Sequence, residues 1–222
     1  MTLDFLLAAG LGYLLGSLPS AYLLVRWKSR KDIRRSGSGN VGALNSYLVT
    51  RSRFVGAAVL LIDLLKGMAA VVAANLLFGG GFAEGAMAGI ASVVGHNFSV
   101  WLNFKGGRGL ATAAGAVLVL AWPIVPFWML LWGIGYLLAR NVNVGNAIAT
   151  LLLFVAMLAV PSWVLERLVA EGGPVGDLRF SMALMFFIIL IKHIEPVREF
   201  FRERRGAVGS AEAETEAKRE NP

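Results

Sequence analysis

The chain has 222 residues, 57% of them hydrophobic and only 16% charged, with a net charge of +7 and a mean hydropathy of +0.66. A soluble domain carries about 25% charged residues, so this chain lacks the polar groups to cover a globule, and a disordered chain or an ordinary soluble enzyme is excluded. No cysteine and only two histidines are present, which removes a thiol nucleophile, a disulfide framework and a thiolate metal site, and leaves little for a His-rich one.

Residues 2–25 are an apolar run with Asp4 near its start and no basic segment before it, which reads as a membrane span and not as a cleaved leader. Residues 26–53 are polar and hold eight Lys and Arg. Residues 54–78 are long enough to cross a membrane and stop at Gly79-Gly80-Gly81. A shorter Ala- and Gly-rich stretch follows at 85–100, then a basic, glycine-rich link at 101–108. Residues 110–120 and 127–139 flank Pro123 and Pro126, residues 140–145 are polar, and residues 146–165 are apolar again. A polar turn at 167–177 leads to the last span, 178–191, and a charged tail whose end is expected to be disordered. The division is one membrane domain over 1–205 and a tail over 206–222.

As one helix, residues 109–139 would run about 46 Å, too long for a hydrocarbon core of about 30 Å. Split at the prolines, they form two thin crossings or a re-entrant hairpin, and both return the chain to the same side. The expected fold is therefore all-α, a polytopic membrane bundle of about seven transmembrane helices, or five spans with a re-entrant pair. With the N-terminus outside, the inner segments hold 18 of the 21 Lys and Arg, so the positive-inside rule predicts an outer N-terminus and a cytoplasmic C-terminus.

The motifs that carry chemistry then fall on the cytoplasmic side. Ser36-Gly37-Ser38-Gly39-Asn40-Val41-Gly42-Ala43-Leu44-Asn45 alternates glycine with small polar residues. That pattern suits an anion nest ahead of a helix amino end, although a flexible linker has the same composition. Phe104-Lys105-Gly106-Gly107-Arg108-Gly109 brackets glycines with two cations before a helix, without the spacing of a nucleotide P-loop. A glycine hinge beside a membrane anchor reads equally well there. His96 and His193 sit at helix ends, where they are either structural or placed beside a phosphate. Asp63 and Lys66 are three apart near mid-span, on one helix face, as a functional pair or a self-compensating ion bridge.

Together these residues resemble the bacterial acyl-phosphate:glycerol-3-phosphate acyltransferases, the PlsY family. The resemblance rests on Gly16-Ser17-Leu18-Pro19, Asp32-Ile33-Arg34, the Gly37–Asn45 motif, Asp63-Leu64-Leu65-Lys66-Gly67, Gly95-His96-Asn97-Phe98 and the Phe104–Gly109 motif continuing to Ala111-Thr112. It runs in order over about residues 10–205. It implies an enzyme of the inner membrane that moves a fatty acyl group from acyl phosphate to glycerol 3-phosphate, giving lysophosphatidic acid and phosphate, with neither acyl-CoA nor a metal or other cofactor. Membrane lipids are the remaining partners, nucleic acid is not expected, and a monomer or weak homo-oligomer is. By this resemblance Ser38, Asn40 and Asn45 line the glycerol 3-phosphate site, with Gly39 and Gly42 allowing close approach. Lys105, Gly106, Gly107 and Arg108 hold phosphate, and His193 is the catalytic His of a third cytoplasmic motif.

The chain departs from the family pattern at Leu44 and Leu48, where Thr and Arg are usual, at Asn143 in place of Ser, and at Pro196 and Glu199 after His193. Arg51 and Arg198 are the cations offered in compensation. With no cysteine and no G-x-S-x-G elbow, direct attack by the acceptor hydroxyl is favoured over an acyl-enzyme. The competing readings are a catalytically altered or inactive paralogue that binds a phospholipid or phosphometabolite, and a small transporter, for which no internal repeat is found.

Overall fold

The computed structural model describes residues 3–79, 81–168 and 174–220, with side chains to residue 206. It is all-helical: α1 (Leu3–Ser17), α2 (Ser20–Ser29), α3 (Ala43–Thr50), α4 (Arg53–Leu77), α5 (Phe82–Asn97), α6 (Leu110–Ala121), α7 (Ile124–Ala139), α8 (Val142–Ala159), the single turn α9 (Ser162–Leu165) and α10 (Val175–Glu220). Four segments, Leu3–Ser29, Arg53–Leu77, Val142–Ala159 and Val175–Gly206, are long and apolar enough to span a bilayer, and α6 and α7 are shorter apolar helices.

Sequence punctuation sets most of the breaks. Trp122 and Pro123 form the turn between α6 and α7, and Pro126 falls in the first turn of α7, where a missing N–H costs no helical hydrogen bond. Asn141 starts α8 by accepting from the amides of Asn143 and Val144 at 2.9 and 3.2 Å. One span carries a break, and one expected boundary is corrected. The run 2–25 lies within the candidate span Leu3–Ser29, which is interrupted at Leu18-Pro19, where Pro19 leads into α2 because its ring restricts the preceding residue to extended backbone. The last apolar segment does not stop at 191, since α10 continues through Pro196.

The outward faces carry Leu6, Leu14, Leu61, Leu76, Leu130 and Leu138, all largely exposed, as a lipid-facing surface requires. Inside, small residues bring backbones together. A methyl on Gly67 of α4 would collide with the Thr112 carbonyl oxygen, and one on Gly115 of α6 with that of Leu64, so neither helix tolerates a side chain at this crossing. Gly12 and Gly16 of α1 meet Ala88 and Ser92 of α5 in the same way. The main apolar core joins α4, α5, α6, α8 and α10 through Val71, Val93, Val117, Leu153, Met185 and Ile189. Against this packing, the loops 30–42 and 98–109 and the start of α8 gather at one end of the bundle.

Candidate active site

The loop before α3 is built by its own polar side chains. Asp32 accepts from the Arg34 amide at 3.0 Å and pairs with its guanidinium at 2.7 Å. This pairing is the main reason the Asp32 carboxyl falls from 3.8 to about 2. Gly37 and Gly39 adopt left-handed φ of 59° and 69°, which turn the chain back on itself. Asn45, buried in the first turn of α3, holds the turn from inside. Its amide donates to the Ser36 and Asn40 carbonyls at 3.0 and 2.9 Å and accepts from the Ser38 N–H at 3.1 Å. Gly42 precedes α3 with no side-chain cap, leaving the first amides of the helix without an intrahelical partner.

The second loop leaves α5 at Asn97, makes a single turn at Val100–Leu102 and returns to α6. Ser99 Oγ ties it to the Ser17 carbonyl at 2.6 Å. The Gly106 and Gly107 amides donate to the carbonyls of Asn97 and His96 at 3.2 and 3.0 Å, closing the loop onto the last turn of α5. Gly109, at φ 80°, opens α6 without a side-chain cap.

These loops enclose a cavity of about 270 Å³. Ser38, Asn40, Gly42, Asn45 and Arg108 line it, joined by Asp63, His96, Asn143 and Asn146. The amino ends of three helices reach it, from Gly42 to Leu44 of α3, from Gly109 to Ala111 of α6, and at Val142 and Asn143 of α8. Asn141 caps α8, so the ends of α3 and α6 are the ones that offer free N–H groups and uncompensated positive dipole. Arg108 is the lysine or arginine of the lining. Its Nη1 donates to Asn143 Oδ1 at 2.5 Å. Burial lowers its pKa from the ordinary value against the opposing pull of Glu199, but a guanidinium stays charged at any physiological pH. One cation and two free helix ends facing one space is an arrangement for anionic oxygens.

An apolar passage adjoins this space. Leu110, on the cavity wall, also begins a groove lined by Ala113, Val117, Ile124, Trp128 and Ile189. Ile124 leads from that groove into a second apolar cavity of about 220 Å³ beside Leu131, Leu153 and Met157. A polar space thus lies beside apolar ones along α6, sharing Leu110 and then Ile124 as walls.

Several residues singled out in the sequence lie elsewhere. Lys105 is exposed and does not line the cavity. The amides of Gly106 and Gly107 face α5 and are already bonded, so these glycines seat the loop and present no free donors to a phosphate. Asn45 lines the cavity, but its amide is engaged by the 36–40 turn. Arg51 ends α3 in a left-handed conformation and is exposed outside the lining, and Arg198 pairs on the surface with Glu195 at 3.2 Å. His193 is 1% exposed, its Nδ1 lies 2.9 Å from the Ile189 carbonyl one turn back, and it does not line the cavity. Leu44, Leu48 and Asn143 do. Asp63 and His96, read as either functional or structural, line it together, and Asn146 gave no signal in the sequence at all. Among the described residues no group of three or more His, Cys, Asp and Glu is placed to hold a metal ion.

Comparison with known proteins bears on the family and the fold. The family model described as glycerol-3-phosphate acyltransferase matches residues 6–203. A glycerol-3-phosphate acyltransferase of Nitrobacter winogradskyi is 40% identical over 205 residues, covering 92% of this chain and 96% of that one. One of Sinorhizobium fredii is 36% identical over 204 residues, 92% of each chain. The crystal structure of PlsY (YgiH), an integral membrane glycerol 3-phosphate acyltransferase, in its glycerol 3-phosphate form superposes with a TM-score of 0.74 at 30% identity, covering 90% of this chain and 93% of that one. Its lysophosphatidic acid form gives a TM-score of 0.70 over the same shares. A helical chain with this cavity, matched over nearly its whole length, belongs to the glycerol-3-phosphate acyltransferase family.

Proposed function

We propose that the protein transfers a fatty acyl group from acyl phosphate to the hydroxyl of glycerol 3-phosphate, releasing lysophosphatidic acid and phosphate. The observation that carries this reading is the shared wall at Leu110, which lines both the cavity of Arg108 and two uncapped helix ends and the adjoining apolar groove. A donor with a phosphate head and a hydrocarbon tail fits across that junction. From Leu110 to Ile124 the track follows about 21 Å of chain, which suits a long acyl tail.

In this reading the free amides of α6 and the Arg108 guanidinium hold the donor's phosphate and stabilise it as it departs. Ser38, Asn40 and the uncapped end of α3 hold glycerol 3-phosphate, with Gly39 and Gly42 admitting it close to the backbone. The acceptor oxygen attacks the acyl carbonyl directly, the bond from carbonyl carbon to phosphate oxygen breaks, and the hydroxyl proton leaves with the phosphate. Proximity in a closed site supplies much of the rate. Lys105 stands at the rim as a guide for incoming anions.

The membrane unit is residues 1–205, with the segment 206–222 a charged extension. Seven crossings by α1–α2, α4, α5, α6, α7, α8 and α10 would place the basic loops, and with them the cavity, on the cytoplasmic face of a bacterial inner membrane. The working form is a monomer or a weak homo-oligomer. A transporter is not favoured, because no internal repeat is found in the sequence and most of the polar lining comes from loops and helix ends gathered at one end of the bundle.

The test is the protein in lipid nanodiscs with glycerol 3-phosphate and either palmitoyl phosphate or palmitoyl-CoA, following phosphate and lysophosphatidic acid together. Equal release of both products from the acyl phosphate alone is expected. Turnover with the CoA ester, or none with either donor, would overturn the assignment of the donor.

A further inference from the structure

Three elements of the site meet on one imidazole. His96 stands in the last turn of α5 and is 8% exposed. Its Nδ1 lies 3.7 Å from Asp63 Oδ1 on α4. That carboxylate oxygen is itself held, accepting from Ser20 Oγ at 2.6 Å and pairing with Lys66 Nζ at 2.9 Å. Lys66 in turn donates to the Leu18 carbonyl at 3.2 Å, across the break between α1 and α2.

The opposite edge of the ring faces the second loop. A methyl on Gly107 would collide with His96 Nε2, and would lie 2.5 Å from the Val41 carbonyl oxygen. The His96 carbonyl accepts the Gly107 N–H at 3.0 Å. Gly107 is therefore pinched between His96 and Val41, the residue between Asn40 and Gly42 of the first loop. The ring thus backs Gly107 where the second loop meets Val41 of the first, and its other edge lies beside Asp63 of α4.

Stability does not explain such an anchor. Buried ion pairs are commonly replaced by apolar side chains at little cost or with a gain, and charges within a membrane bundle are expensive. What apolar packing cannot supply is a polar neighbour beside the ring, here Asp63 Oδ1 at 3.7 Å from Nδ1.

We propose that His96, oriented by Asp63, is a positioning residue that sets the register between loop 36–45 and loop 105–109. This inference rests on the reading of the cavity as a site for two phosphorylated substrates. It makes the distance between the attacking hydroxyl and the acyl carbonyl depend on a side chain of the cavity wall that acts through the position of the loops.

The lack of cysteine allows a direct test. Arg35→Cys and Lys105→Cys, at two exposed positions flanking the loops, carry nitroxide labels, and pulsed dipolar spectroscopy in nanodiscs reads the distance between them. A narrow distribution is expected in the parent, a broadened or shifted one in His96→Ala and Asp63→Asn, and a narrow one again in His96→Asn, whose amide takes the place of Nδ1. In the unlabelled protein His96→Ala should lower kcat on the order of 10²-fold while KM for glycerol 3-phosphate stays within about threefold, and His96→Asn should recover most of the loss. An unchanged distribution in His96→Ala would overturn the proposal. So would a joint collapse of kcat, KM and melting temperature that His96→Asn does not rescue. If the parent turns over no acyl phosphate, the assigned reaction fails by itself and the distance measurement alone decides the register.

Discussion

Arg108 and Asn143 join the amino ends of α6 and α8 through a hydrogen bond of 2.5 Å from Nη1 to Oδ1. The bond fixes a half-buried guanidinium whose other nitrogens have no hydrogen-bond partner among the described residues. It also assigns a job to Asn143, whose side chain can accept without adding a charge that would compete with phosphate.

Asn143→Ala should free the Arg108 side chain without removing its charge. Hydrogen bonds to charged groups contribute about 1.5–3 kcal/mol, and losing part of that in orientation should lower kcat/KM about tenfold. Asn143→Asp should be worse, since a carboxylate there would pair with the guanidinium and repel the substrate. Steady-state kinetics of the two variants give the order directly.

The pair of Asp63 and Lys66 is buried at 2.9 Å, so removing one member strands the other. Lys66→Met should destabilise the protein by about 3–5 kcal/mol. Asp63→Asn combined with Lys66→Met should be milder than the sum of the two single changes. Thermal melts of the three variants in one detergent measure this coupling.

The crossing of α4 and α6 has no room for side chains at Gly67 and Gly115. Gly115→Val should therefore force the helices apart and lower the melting temperature, whereas Gly133→Ala, where a methyl meets nothing within 4 Å, should leave it unchanged. Equal behaviour of the two variants would contradict the described packing.

Asp32 supplies a pH dependence whose sign is fixed by its shift. Its folded pKa, about 2, lies below its ordinary value of 3.8 because of the bond to Arg34. Its stabilising effect is complete above about pH 5, begins to fade near pH 4 and is lost as pH falls through 2. Asp32→Asn should thus lower the melting temperature slightly at pH 6 and hardly at all at pH 2. The pair is partly exposed, so solvent screening keeps the effect small.

Much of this was legible in the sequence because it depends on composition and local rules. Apolar runs and glycine or proline punctuation located the helices, and the turn at Pro123 follows from the missing amide. The two glycine loops were recognisable as candidate phosphate sites, and residues of both line one cavity. What spacing does not encode is the direction of hydrogen bonds. Nothing in Lys105-Gly106-Gly107-Arg108 says that the glycine amides turn back to α5 while Arg108 turns to Asn143. Asn45 looks like a ligand and acts as the internal brace of its loop. His193 looks catalytic at a helix end, yet its ring packs inside the bundle. Asp63 and His96 come from different helices, and only the fold brings them to one wall.

The central claim is that Arg108 and the open ends of α3 and α6 hold the substrate phosphates. The most direct measurement is kcat/KM for Arg108→Ala beside Arg108→Lys, with palmitoyl phosphate and glycerol 3-phosphate in nanodiscs. The account predicts a loss on the order of 10²-fold or more for alanine, as for a phosphate contact worth at least about 2.7 kcal/mol, with partial recovery in lysine. Activity of the alanine variant within about threefold of the parent, in folded protein, would place the phosphates elsewhere.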